Sequence, residues 1–183
     1  MITYVQGDAT SPRGKGSKII AHVSNVEGGW GAGFVLAVSR RWKSPEREYR
    51  KWHKQGSILD ERKALSDDTV EMPFELGQIQ TLLVDAEPTY VCNMLAQKGY
   101  GTKGNNQHRS PDDEDSYIPL QYDALEACLT KLAGQAQALN ATVHLPRIGC
   151  SLAGGRWSLV EPLIKKALKD IPVTVYDFGP YNP

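Results

Sequence analysis

The chain has 183 residues, with 21 basic and 21 acidic side chains and so no formal net charge. Hydrophobic residues make up 40% and charged residues 23%, the composition of a globular chain able to bury a core without staples, which excludes global disorder, collagen and coiled coil. No run approaches the roughly 18 apolar residues of a membrane helix, the start MITYVQGDAT lacks a basic-then-apolar leader pattern, and a binder of nucleic acid through bulk charge would be basic overall.

Three cysteines, Cys92, Cys128 and Cys150, are too few and too odd in number for a disulfide framework. They read as reduced thiols in a cytoplasmic protein. Length and the lack of a long linker point to one domain over residues 1–178, with 179–183 as a short C-terminal tail, and to a monomer.

In chain order, Ile2 to Gln6 is a β-branched and aromatic run that ends at Gly7-Asp8 and predicts a strand and a turn. Residues 11–17 (SPRGKGS) form a loop. Residues 18–23 (KIIAHV) predict a strand apolar enough to be buried on both faces. A Gly-rich stretch, Ser24 to Gly33, then leads into the apolar run Phe34 to Val38. Ser44 as N-cap, Pro45 in the first turn and Glu46 near the positive end predict a helix to about Lys54, stopped by Gly56. Trp42, Tyr49 and Trp52 pack it down.

Residues 57–75 give no clear period. Residues 78–84 and 90–95 predict strands joined by a turn, and 97–116 predict a long loop. Apolar residues at helical spacing predict a helix over 119–139, followed by a strand at 142–145. A second Gly-rich loop, PRIGCSLAGG, occupies 146–155. The next helix starts at Ser158, with Glu161 in capping-box register, or at Pro162. Residues 173–178 are the last strand. Alternating strands and helices, with one hairpin, predict an α/β three-layer fold with a mixed central sheet. Ligands of such sheets gather at the carboxyl ends of the strands.

Both Gly-rich loops follow a strand and precede a helix, so they form two candidate walls of one site. Glycine lets backbone amides approach a ligand, and amides aimed by a helix N-terminus bind anions without side-chain charge. The plainer reading is that these glycines only make turns and caps. Neither loop is a dinucleotide or P-loop fingerprint. Trp30, at the tip of GWGAG, either covers a sugar or base or packs beneath its loop.

The segments ITYVQGDAT, IIAHVSNVEGGWGAG, YVCNMLAQKG, LPRIGCSLAGGRW and VTVY, in this order, resemble a macro domain over nearly the whole chain. The likeness is greatest to the branch that holds the yeast-type ADP-ribose 1″-phosphate phosphatase and the terminal ADP-ribose protein glycohydrolase. It implies ADP-ribose or a derivative as ligand and no cofactor. It also implies that Gly7, Asp8 and Ala9 serve the adenine, with Asp8 accepting from its amino group and Tyr176 or Phe178 beside it. Trp30, Gly31, Ala32 and Gly33, with Gly149, Cys150, Ser151, Leu152 and Ala153, would wrap the diphosphate and distal ribose, and Asn25 would lie at the distal ribose. The glycohydrolase subgroup uses a lysine and an aspartate whose places fall here on Gln97, one residue from Lys98, and on Ala153. A one-residue shift in a strand turns a side chain to the opposite face.

No histidine pair has metal-binding spacing, and no metal is expected. His22 is either a general acid or base or a core histidine bonded to its surroundings. Cys150 has no base beside it. The acidic run Asp112 to Asp115 reads as a solvated loop. Residues 40–54 hold seven basic and two acidic side chains, the wet face of a helix. Nucleic acid enters only as a carrier of an ADP-ribose mark docked there. Two classes stay open: an enzyme that removes a group from the distal ribose, and a reader that binds ADP-ribose without chemistry.

Overall fold

A computed structural model describes residues 1–59, 71–99, 118–150 and 152–178. Six strands form the central sheet: β1 (Ile2–Gln6), β2 (Lys18–Asn25), β5 (Ile79–Asp85), β6 (Thr89–Gln97), β7 (Thr142–Pro146) and β8 (Val173–Asp177). Their order is β1-β8-β7-β2-β6-β5. All neighbours are parallel except β5, which pairs antiparallel with β6 through a tight turn. The sheet is therefore mixed, with helices on both faces.

One face carries α1 (Phe34–Arg41) and α2 (Ser44–Gln55), packed through Tyr49, Trp52, Val38 and Trp30 onto Ile20, Val91 and Leu95. The other carries α3 (Tyr122–Ala138) and α4 (Trp157–Ala167), packed onto Ile19, Ala21, Cys92, Met94 and Val143. Alternate residues of β2 thus feed two cores, which is why its apolar run is nearly continuous. In α3 the buried residues Leu125, Cys128, Leu129, Leu132 and Ala136 follow one helical stripe.

Two helix starts differ from expectation. The N-cap of α2 is Lys43, with Ser44 already helical; the other end stops as expected, Gly56 taking the left-handed conformation at φ 75°. α4 begins at Trp157 with Arg156 as N-cap, and no side chain caps it. Ser158 is therefore inside the helix and no capping box forms. The Arg156 amide donates instead to the Tyr122 hydroxyl at 3.1 Å, so a tertiary contact sets the start.

The stretch after α2, which shows no clear period in sequence, holds a small antiparallel pair, β3 (Ser57–Leu59) with β4 (Glu71–Pro73). Most of the 97–116 loop, its acidic run, and the tail 179–183 lie outside the described residues. No described helix is long and apolar enough to cross a membrane.

Candidate functional site

A cavity of about 370 Å³ opens at the carboxyl ends of β2, β6 and β7. One wall is the stretch that leaves β2, the other the loop that leaves β7. Of the residues expected in the site, His22, Asn25, Gly31, Ala32, Gly33, Gly149, Leu152 and Ala153 line this cavity. The two loops touch: a Cβ on Gly33 would stand 3.1 Å from Leu152 Cδ1.

Gly31 has an ordinary backbone conformation, and a Cβ there would meet nothing within 4 Å. Neither turn nor packing demands a glycine; open space lies in front of it. Among the described residues, no acceptor takes the amide hydrogens of Gly31, Ala32 and Gly33. α1 starts directly after them with no side-chain cap and no acidic residue in its first turn. Its first residues, Phe34 and Val35, also line the cavity. This wall is a row of uncommitted N–H groups ending in a helix N-terminus, an arrangement that favours an anion.

Asn25 builds that wall. Its Oδ1 accepts from the Glu27 amide at 3.0 Å and the Gly29 amide at 2.9 Å, its Nδ2 donates to Gly29 O at 2.8 Å, and its backbone carbonyl accepts from the Tyr49 hydroxyl at 2.7 Å. One Nδ2 hydrogen remains for a ligand. A register shift between Ser24 and Asn25 pairs Asn25 with Gln97. Gln97 lines the cavity, while Lys98 is exposed and does not. Among the described residues, neither Asp, Glu nor Lys lines the cavity.

His22 forms part of the floor and is only 2% exposed. Its tautomer follows from a chain of fixed acceptors. Gln80 Nε2 donates to Glu48 O at 3.2 Å, so Gln80 Oε1 accepts from Asn93 Nδ2 at 3.1 Å. Asn93 Nδ2 also donates to Pro45 O at 3.3 Å. Asn93 Oδ1 therefore faces His22 and accepts its Nε2–H at 2.7 Å. Burial pushes the His22 pKa down to about 4, against the opposing pull of the Asn93 bond. The imidazole is neutral at pH 7, and its Nδ1 stands 3.4 Å from Val23 O. A group with that pKa is a weak base, so its surroundings favour the core-histidine reading over the acid–base one.

Several expected residues stand elsewhere. Trp30 is buried, gives its Nε1–H to Ser39 Oγ at 2.7 Å and packs against His22 and Tyr49. It lies beneath its loop and does not line the cavity. Tyr176 is core: its hydroxyl accepts the Arg13 amide at 2.9 Å and sits 3.0 Å from His144 Nδ1. Ala9 is buried, and Phe178 is 88% exposed. Asp8 Oδ1 accepts from Thr10 N and Thr10 Oγ1, both at 2.8 Å, the turn-forming role of an Asp after Gly7. Gly7, Asp8, Ala9, Tyr176 and Phe178 do not line the cavity. Cys150 does not line it either; its half-buried thiol points to Ile148 O and is pushed up to about 11 by burial, so it is no nucleophile at neutral pH. Ser151 lies outside the described residues.

Arg147 lines the cavity, a role sequence reasoning missed. Its Nε and Nη2 bind Asp177 in a bidentate pair at 2.6 and 3.0 Å. Its guanidinium lies 5.2 Å from the Tyr4 ring and 4.9 Å from the Trp157 ring. That pair staples the second loop to β8 and holds the Asp177 carboxyl below its usual range. Phe34 was also missed, and the signal for it was simple: it follows the last glycine of the first wall. Among the described residues, no three His, Cys, Asp or Glu are placed to hold a metal.

No family model matches the chain. A solved macrodomain protein from Streptomyces coelicolor is 45% identical, covering 98% of this chain and 100% of its own, with a TM-score of 0.72. The chain belongs to the macrodomain family. Among curated relatives, the ADP-ribose 1″-phosphate phosphatase of Lodderomyces elongisporus is 25% identical over 96% of this macrodomain and 97% of the phosphatase. The chromodomain-helicase-DNA-binding protein 1-like of Danio rerio is 31% identical over 91% of this chain, which spans only 14% of that protein.

Proposed function

We propose that the cavity binds ADP-ribose or a derivative, and that the chain hydrolyses a group from its distal ribose, first of all phosphate from ADP-ribose 1″-phosphate. The observation that carries this reading is Gly31: a glycine with ordinary φ, an uncommitted amide and open space before it, next to an uncapped helix start. That is where a diphosphate fits without any cationic side chain. The phosphatase that aligns along nearly its whole length at 25% identity supports the choice of substrate.

In this reading the diphosphate lies along Gly31 to Gly33, the second loop covers its other side, and the distal ribose sits by Asn25 and Gln97. Asn25 is the positioning residue that shapes the wall and offers its last N–H to the ribose. Developing negative charge is met by the wall's amides. His22 holds the cavity floor as a neutral imidazole, and turnover that needs the neutral ring is flat above about pH 5 and falls as pH drops through about 4, where the ring becomes protonated.

The buried His22, and the lack of a carboxylate or lysine among the described lining residues, favour one second reading: an ADP-ribose reader that does no chemistry. Calorimetry separates the outcomes. One ADP-ribose per chain should bind, with less heat after Gly31→Val; no heat at millimolar ligand would sink both readings. Assays with ADP-ribose 1″-phosphate, O-acetyl-ADP-ribose, ADP-ribosylated protein and ADP-ribosylated DNA then name the reaction. Binding without turnover of any of them makes the protein a reader.

A further inference from the structure

Zero net charge hides a strong local separation. Residues 40–54 carry seven basic and two acidic side chains, which leaves 14 basic and 19 acidic elsewhere. All seven, including Arg40, Arg41 and Lys43, are exposed. On α2, Arg47, Arg50, Lys51 and Lys54 recur at three- and four-residue spacing opposite the buried Pro45, Tyr49 and Trp52, so they form one outer stripe. Glu46 pairs with Arg50 and Glu48 with Arg47. Arg40, Lys43, Lys51 and Lys54 have no anionic partner among the described residues.

The stripe adjoins the cavity. Arg50 Nη1 donates to Gly28 O at 3.2 Å, beside the cavity wall. α1 starts at the cavity and runs eight residues, about 12 Å, to Arg41. Arg41 in turn donates to Ser11 Oγ at 2.7 Å, two residues from exposed Arg13. It also lies 5.0 Å from the ring centre of half-buried Trp42.

We infer that this face of α1 and α2 docks a single-stranded polynucleotide through its phosphate backbone. The lysines and arginines supply phosphate contacts, guanidinium forks match phosphate oxygens, and Trp42 offers a ring on which a base stacks. The α2 stripe carries no apolar residue for a bilayer. An acidic polypeptide would find the charge and the same guanidinium forks, but it has no base to place on the Trp42 ring. The inference does not need the ADP-ribose reading, since unmodified polymer is the probe.

The test is fluorescence anisotropy of the full chain with a labelled single-stranded DNA 20-mer over a salt series. Binding should weaken with salt with a log–log slope of about −3, the value for roughly four phosphate contacts. The triple variant Lys43→Gln, Lys51→Gln, Lys54→Gln should bind about ten-fold more weakly and lower the slope by about 2. Lys165→Gln, Lys166→Gln, Lys169→Gln, on the opposite side of the sheet, should leave both unchanged. All six positions are exposed, and unchanged melting with unchanged ADP-ribose heat would show that fold and cavity survive. No DNA binding at low salt, equal weakening in the two triple variants, or equal binding of poly-glutamate would overturn the inference. Failure of ADP-ribose binding alone would leave it standing.

Discussion

The two glycine-rich loops look alike in sequence and hold their glycines for different reasons. In the first, Gly31 meets empty space and keeps an ordinary backbone. In the second, Gly149 sits at φ +70°, where a Cβ would stand 2.8 Å from Leu120. A Cβ on Gly155 would collide with Leu120 and reach within 2.5 Å of Gly149 O, the acceptor of the Gly155 amide. The first loop thus saves room for something that approaches, and the second for its own chain. The distinction is not absolute along the whole first wall, since a Cβ on Gly28, at φ +77°, would come within 2.5 Å of His53.

Gly155→Ala is the harshest way to test the contrast. Backbone has to move, so a loss of about 3 kcal/mol is expected, a drop in melting temperature of roughly 6–12 °C for a chain of this size. Differential scanning calorimetry reads it directly. A melting point within 2 °C of wild type would mean that the second loop yields as easily as the first.

The strands that feed the loops carry one buried histidine each, His22 in β2 and His144 in β7. Burial lowers both to about 4, below the unfolded value of about 6.5. The folded state binds the proton less well. Their contribution is therefore complete above about pH 6.5 and is lost as pH falls toward 4, by about 1.4 kcal/mol per pH unit for each. Urea midpoints at pH 7, 5.5 and 4.5 should follow this slope, and replacing either histidine by Gln should halve it. An unchanged slope in His22→Gln would place the burden on the second loop's strand alone.

Gly31→Val sharpens the comparison from the ligand side. Melting should stay within about 2 °C of wild type, while ADP-ribose affinity falls at least about ten-fold, since the side chain enters space a ligand would use. A fall in stability with affinity intact would reverse the assignment of the two loops.

The smallest effect concerns what ties each loop down. Asn25 holds the first with neutral hydrogen bonds, and the partly exposed Arg147–Asp177 pair holds the second. Asp177→Asn should cost at most about 1 kcal/mol, and the cost should shrink in 1 M salt. Chemical denaturation at two salt concentrations checks it, and a salt-independent loss would point to packing between Tyr4 and Trp157 instead.

Much of this was legible along the chain. β2, β6, α2 and α3 show in their periods, and both walls show in their glycines. What was not legible depends on residues brought together across the sheet. Asn93, Gln80 and Pro45 set the tautomer of His22 from up to 71 residues away. Arg147 finds Asp177 thirty residues on. Trp30 carries a hydrogen-bonding edge that suits a sugar as well as it suits Ser39, so only the packing decides. β3 and β4, at three residues each, are too short to leave a period.

The pairing of the first strand with the last has a consequence for the order of assembly. Ile2 lies beside Val173 and Gln6 beside Asp177, and β8 is the sheet neighbour of β1. During synthesis β1 leaves the ribosome first and then waits for some 170 further residues before its partner exists. The Gly7 amide, which donates to Asp177 O, waits with it, and so does the Asp8 turn. Long-range pairings of this kind close late and slowly, so the sheet edge that carries Gly7 and Asp8 is the last part of the molecule to be made.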